Sequence, residues 1–469
     1  MPSFRTGRLL ALLALSQLIT ALDFTIVYVA LPAIGADLGF SAQTLQWVAS
    51  AYAVTYGGFL LLGGRAADLL GRRRMFVLAM TLFALASLAG GLADSKELLV
   101  AARAVQGLGG ALLFPATLAL VNTLFEEGPA RNRALGVWSG AGASGLALGS
   151  LAGGVLTGAW GWEGVFYVNV PLAAVAIAAA FALIPADGPR ERGRRFDLPG
   201  AVLATAGVSL LAFALIQGPE AGWTSPSILA GFALAAVLLA AFLAVERYSR
   251  DPLMPLRLFG NRSLSPAIAV ILVFGATFNA VPYFLTVYFQ TVLGYGAITT
   301  GLAFLVPSLL IALGTQLGGR LAGRIGMRAT LLGGTTGGAA GTAVLALGVS
   351  ADGSYWAVLP GIVIMGVSQG LTWTGMWIAA ATGVAAREQG VASGLASTAL
   401  QVGSALGLAV LVVAGGLGDA TGPELADGLR TATFVAAGGM LAGALVSLTF
   451  ARRRATVPAA EPAVPVGAP

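Results

Sequence analysis

The sequence predicts an all-α polytopic membrane protein: two bundles of six spanning helices, with two further spanning helices between them. Three observations predict it. Of 469 residues, 57% are hydrophobic and 10% charged, against about 45–50% and about 25% in soluble domains, so a soluble chain of this makeup could not cover its surface. Apolar runs near 20 residues, roughly the length that crosses a bilayer, recur along nearly the whole chain. Between them lie short loops, and the basic residues gather in every second one.

Taken in order, spans are expected at 9–30, 47–64, 75–93, 98–124, 133–157, 164–184, 199–217, 227–245, 264–290, 298–319, 329–349, 355–381, 391–414 and 431–450, fourteen in all. With Arg5 and Arg8 placed in the cytoplasm, the positive-inside rule asks each second loop to be basic. GRAADLLGRRR, EEGPARNR, GPRERGRRFD, ERYSRDPLMPLRLFGNR, GRLAGRIGMR, AREQG and the final ARRR comply. The opposite loops carry acids, from Asp37 to Asp427, with Lys96 and Arg430 as their cations. Both termini are therefore expected in the cytoplasm. A signal peptide over residues 1–30 is the competing account, but that run is long, holds Asp23 and lacks a clear small-residue cleavage site. Residues 455–469 are Pro/Ala-rich and are expected to form a disordered tail.

There is no cysteine and no histidine. Disulfides, thiol chemistry, the commonest metal ligands and the commonest general base are thereby excluded, and neither an enzyme nor a metal or organic cofactor is expected. The net charge of +6 sits in the loop clusters. It is accounted for by membrane orientation, and no nucleic-acid partner is expected.

Two of the basic loops repeat one pattern. GRAADLLGRRR begins at Gly64 and GRLAGRIGMR at Gly319. Glycine recurs seven residues on, at Gly71 and Gly326, and Arg65 and Arg73 match Arg320 and Arg328. Each copy follows the second span of its half once spans 199–217 and 227–245 are set aside. The domains are then 1–186, an inserted pair with linkers at 187–262, and 263–454. Duplicated six-helix halves mark a transporter whose substrate site lies near the midplane between them. The copies differ at one position: Asp68 in the first is Gly323 in the second.

With these residues in view, the chain resembles the major facilitator superfamily, and in particular its fourteen-helix drug:proton antiporter branch. Gly64, Asp68, Gly71, Arg72 and Arg73 resemble the superfamily's loop motif. Arg103, Gln106, Gly107 and Gly109 resemble its fourth-helix motif. Leu22, Asp23, Thr25, Ile26, Val27, Ala30, Leu31 and Pro32 resemble the branch's first-helix motif, with Tyr28 where Asn is usual. WGWEGVFYVNVP, RFDLPGAVL, PLMPLRLFGNRS, QTVLGYGAITTGLAFLVPS and GVASGLASTALQVGSALG extend the likeness over nearly the whole chain. In the fifth span GLALGSLAGG resembles the antiporter motif, except that Ser150 stands where proline is expected. Gly145, Gly149 and Gly153 keep its spacing. Glycines four apart let helix backbones approach closely, as suits a helix packed where two bundles meet. The resemblance implies that the loop at Gly64, Arg65, Asp68, Gly71, Arg72 and Arg73 latches one bundle to the other and gates the conformational change.

Two charges fall well inside spans: Asp23 in the first and Arg103 in the fourth. A charge at the bilayer centre costs about 2.5–3.5 kcal/mol on insertion scales, so such residues are functional candidates. At about 1.5 Å per residue, both lie on the order of 10 Å below the outer end, which permits an ion pair. Desolvation favours the neutral acid and a nearby cation favours the carboxylate. A site exposed alternately to each side would shift that balance, so Asp23 is expected to carry the proton and Arg103 to tune it. The competing reading is a static pair that braces the two helices.

Polar or aromatic residues at helical spacing mark candidate cavity walls. They are Thr20 beside Ser16 and Asp23; Tyr52 and Tyr56 with Phe59; Gln106; Asn279, Tyr283, Thr286 and Gln290; Gln369, Trp373, Met376 and Trp377; and Gln401 among Ser393, Ser397 and Ser404. Aromatic and Met surfaces suit apolar or cationic ligands of loose shape. The competing role for each is packing between helices. The expected partners are a small amphiphilic or cationic molecule, the proton as coupling ion, and the lipid bilayer around a monomer. The function expected is proton-coupled efflux of drugs, antibiotics or lipophilic secondary metabolites. Uptake of a metabolite by the same fold and a non-transporting receptor are the alternatives.

Overall fold

A computed structural model describes residues 4–188, 197–249, 251–417 and 422–451. The arginines of GPRERGRRFD, those of the final ARRR, and the tail at 455–469 lie outside the described residues. No strand occurs among the described residues. In hydrocarbon every backbone polar group must be satisfied within its own segment, and helices follow from that.

The first half contains α1 (Phe4–Asp37), α2 (Trp47–Leu70), α3 (Arg72–Gly91), α4 (Lys96–Leu124), α5 (Pro129–Trp160) and α6 (Asn169–Leu183). The inserted pair is α7 (Leu198–Ala221) and α8 (Pro226–Tyr248). The second half contains α9 (Leu264–Ala276), α10 (Leu305–Arg324), α11 (Met327–Gly348), α12 (Tyr355–Ala381), α13 (Gln389–Ala414) and α14 (Gly422–Ser447). Past α9 the chain breaks helical geometry around Thr277, resumes at Val281–Val287 and ends in a π-helical turn, Tyr288–Val292.

Twelve helices are long and apolar enough to cross a membrane, among the described residues. The two principal helices outside that count are α2 and α5. Both have the length, at 24 and 32 residues, and positions 146, 147 and 150 of α5 lie outside the described side chains that the count covers. These are also the helices through which the first half meets the second: α2 packs on α13, and α5 on α10.

Close contact between the halves lies at the end that holds the start of α1 and the arginine loops, here called the basic end. There a Cβ on Gly64 would fall onto the backbone of Gly390, and one on Gly319 would stand 2.7 Å from the Asn132 carbonyl oxygen. Gln316 Nε2 donates to the Gly136 carbonyl at 3.1 Å. Gly71 and Gly326, the shared glycines of the two loops, have φ of 104° and 87°, a region that favours glycine. The repeated motif is thus a repeated turn.

Gly145, Gly149 and Gly153 pack elsewhere than the sequence spacing led us to expect. Cβ atoms built on them would lie 2.6, 2.5 and 2.8 Å from the carbonyl oxygens of Leu18, Leu22 and Ile26. Their partner is α1 of the same half, not the opposite bundle. Ser150 lies in α5, with its side chain outside the described residues. The inserted pair docks on the first half: Trp47 of α2 stacks on Phe213 of α7 with centroids 5.9 Å apart. Leu61 joins Ala201, Ala204, Phe242, Leu253 and Met254 in one apolar cluster, with Leu395 of α13 against it.

Candidate functional site: a buried carboxylate beside the seam between the halves

Asp23, on α1, has no solvent exposure. Its Oδ2 accepts from Arg103 Nη1 at 2.9 Å, an ion pair in which both side chains are buried. Its Oδ1 accepts from Gln106 Nε2 and from Asn169 Nδ2, each at 2.8 Å. The second layer holds these donors in turn. Arg103 Nη1 also donates to Gln106 Oε1 at 2.6 Å, and its Nε to the Val48 carbonyl at 3.0 Å. Gln106 Nε2 donates to Ser87 Oγ at 2.7 Å. The Tyr52 ring lies over the guanidinium, 4.4 Å from its carbon. Five helices converge here (α1, α2, α3, α4 and α6), all from the first half. A buried ion pair survives when further hydrogen bonds engage its remaining lone pairs and protons, and here both carboxylate oxygens and the Nε and Nη1 of Arg103 are bonded.

The enclosure corrects one part of the sequence expectation. Asp23 sits inside one bundle, not in the space between two. Gln106, placed by its helical spacing in a cavity wall, belongs to the carboxylate's own shell. Thr20 is 7% exposed and bonds to the Ser16 and Gln17 carbonyls, so it lines no opening in this conformation. Arg65 and Glu246 are also enclosed, at 2% and 3% exposure, so Asp23 and Arg103 are not the sole buried charges. Glu246 accepts from the Leu253 and Met254 amides at 3.0 and 2.9 Å and lies within electrostatic reach of Arg65.

From Tyr52 a ribbon of rings crosses the molecule. Tyr28 meets Phe24, Phe24 meets Tyr52, and Tyr52 stacks on Tyr56 at 5.7 Å. Tyr56 meets Phe114, and Phe114 meets Trp377 of the second half at 5.5 Å. Trp377 meets Trp373, and Trp373 meets Phe274 at 5.5 Å. Trp138 closes on Phe114 and Trp377 from α5. Of the candidate wall residues, Asn279 and Tyr283 are exposed, and Tyr56, Thr286, Trp373 and Gln401 are half-buried. Tyr52, Gln369 and Trp377 are buried. Asn279 Nδ2 donates to Ser404 Oγ at 3.1 Å, and Thr286 bonds its own turn at the Pro282 carbonyl. Gln401 faces Gly57 of α2.

At the basic end Asp68 bridges the halves. It accepts from the Gly390 and Val391 amides at 3.1 and 2.9 Å, at the N-terminal turn of α13, where free N–H groups and the helix dipole favour an anion. Arg72 pairs with Asp68 at 3.0 Å and also reaches the Ala386 carbonyl. Arg73 stays within its half: its amide and that of Arg74 donate to Asp187, at 3.0 and 2.9 Å, and its guanidinium lies over Phe181. Asp187 had not been singled out in the sequence. Nor had Ser87, Asn169, Phe114 or Trp138, although Asn169 is a lone amide in the apolar stretch FYVNVP and carried a readable signal.

This architecture is that of a two-bundle membrane transporter, and comparison with known proteins agrees. The model of the Major Facilitator Superfamily matches residues 13–408, and the chain belongs to that family. It is 38% identical over 435 residues to a cephamycin export protein of Amycolatopsis lactamdurans, covering 89% of this chain and 87% of that one. It is 38% identical over 391 residues to the multidrug resistance protein Stp of Mycobacterium tuberculosis, covering 83% and 72%. The human organic anion transporter MFSD10 shares the fold, with a TM-score of 0.70 and 17% identity over 95% of this chain and 100% of that one.

Proposed function

We propose that this protein exports drugs, antibiotics or lipophilic secondary metabolites across the cytoplasmic membrane in exchange for protons, by alternating access. The relatives named for cephamycin export and multidrug resistance support the export of small molecules. The observation that carries the coupling is the Asp23–Arg103 pair, fully enclosed beside the ring ribbon. The basic end is the cytoplasmic end and both termini lie inside, in keeping with the arginine loops. With the seam closed there by Asp68, Gly64 and Gly319, the cytoplasmic side is shut in this conformation and opens when the latch parts. Each proton entering down the membrane potential supplies about 2.3 kcal/mol per 100 mV. A neutral or singly charged amphiphile stacks on the ribbon, and the transporter works as a monomer.

The test is Asp23→Asn in proteoliposomes with a reporter of internal pH. Wild type should release protons when a transported compound is added, and the variant should bind the compound without releasing them. Undiminished release from the variant would remove Asp23 from the coupling.

A further inference from the structure

We propose that Asn169 is the positioning residue that allows Asp23 to hold a proton; this rests on Asp23 being the proton carrier. Each side chain bonded to the carboxylate is a donor: Arg103 to Oδ2, and Gln106 and Asn169 to Oδ1. That set fits the charged form. A neutral acid brings an O–H of its own and needs an acceptor, and a buried hydroxyl without one is costly. One donor must therefore reverse.

Arg103 has no acceptor atom to offer. Gln106 has one, but its Oε1 already takes Arg103 and its Nε2 also holds Ser87, so reversing it breaks two further bonds. The Val48 carbonyl is occupied by Arg103 Nε. Asn169 differs. It has no exposure, and its Oδ1 is buried without a partner. Terminal amide torsions are broad and roughly two-fold, so a half-turn brings Oδ1 to the position of Nδ2 and breaks only the bond to Asp23.

In the loaded state the Asp23 O–H donates to Asn169 Oδ1. On release that O–H bond breaks, the proton passes to water, the electron pair stays on Asp23, and the amide turns back to donate. The charged or titratable groups facing this pair are Arg103 from α4, Tyr52 from α2 and Tyr28 from α1. From α3 comes the hydroxyl of Ser87, and from α6 Asn169 itself.

Asn169→Thr and Asn169→Val have nearly one shape, but only Thr keeps a group that can both donate and accept. In proteoliposomes, drug-driven proton exchange should run at least about tenfold faster in N169T than in N169V, a 1.4 kcal/mol difference in barrier. In infrared difference spectra the protonated-carboxyl band that D23N removes should stand at higher wavenumber in N169V. Equal rates and equal band positions in the two variants would make Asn169 a brace and overturn the inference. Should N169V not fold, the wild-type band decides: a position typical of a free carboxyl overturns it, and a hydrogen-bonded one supports it. Proton release surviving in D23N would instead defeat the reading on which this one rests.

Discussion

The two copies of the basic loop meet the opposite half in different ways. In the first, Gly64 lets α2 lie against Gly390 and Gly394 of α13, and one turn later Asp68 caps the α13 amides. In the second, Gly319 lets α10 lie against Asn132 and Gly136 of α5, but Gly323 stands where the acid would be, facing Asn132. The backbone approach is duplicated and the charged clasp is not. One seam is shut by packing plus an anion on a helix N-terminus; the other by packing and the Gln316–Gly136 bond. On the proposed alternating-access reading the closed state has to part, and one clasp holds it less firmly than two would.

Four substitutions would break or sharpen this contrast, read as spin-label distances across each seam and as transport rate. The absence of native cysteine makes introduced label pairs unique. Gly64→Ala should have the largest effect, because its Cβ falls onto the Gly390 carbonyl and no flexible side chain can yield. Overpacking of this kind costs about 1–3 kcal/mol or more, so the first seam should stand open and transport fall by about 100-fold. Asp68→Asn should follow. It removes charge from bonds worth about 1.5–3 kcal/mol, and transport should drop by about tenfold with the protein still folded. Gly319→Ala should cost severalfold, its nearest contact at 2.7 Å being less severe. Gly323→Asp should have the smallest effect and the opposite sign. A carboxylate there can accept from Asn132 Nδ2, which a Cβ at Gly323 would approach to 3.8 Å, and one added bond of about 0.5–1.5 kcal/mol should raise the closed population. Equal losses from G64A and G319A, with D68N silent, would show the two seams to be equivalent.

Much of this was legible in the sequence because the membrane makes polar residues conspicuous. Asp23 and Arg103 stand out in apolar spans, and their matched depth follows from counting residues along helices that run in opposite directions. The duplicated Gly64 and Gly319 loops gave the two halves. Helical spacing tells which residues share a face, but not what that face meets. Gln106 is one turn from Arg103 and so joins the carboxylate instead of a cavity wall. Gly145, Gly149 and Gly153 announce a close helix approach without naming α1 as the partner. The clasp was half visible: Asp68 is a side chain, but its acceptors' partners, the Gly390 and Val391 amides, are backbone groups present at every residue. Asn169 was missed as a neighbour of Asp23 because 146 positions separate them and one amide in an apolar helix has many possible uses.

Every side chain that bonds Asp23 comes from the first 169 residues, whereas Asn279, Tyr283, Trp373 and Gln401 come from the second half. The charge site thus lies in one stretch of the chain, whereas the ring ribbon draws on both, from Tyr52, Tyr56 and Phe114 to Trp377 and Trp373. Substitutions confined to the second half can therefore change the far wall of the ribbon while the Asp23 cluster is inherited untouched.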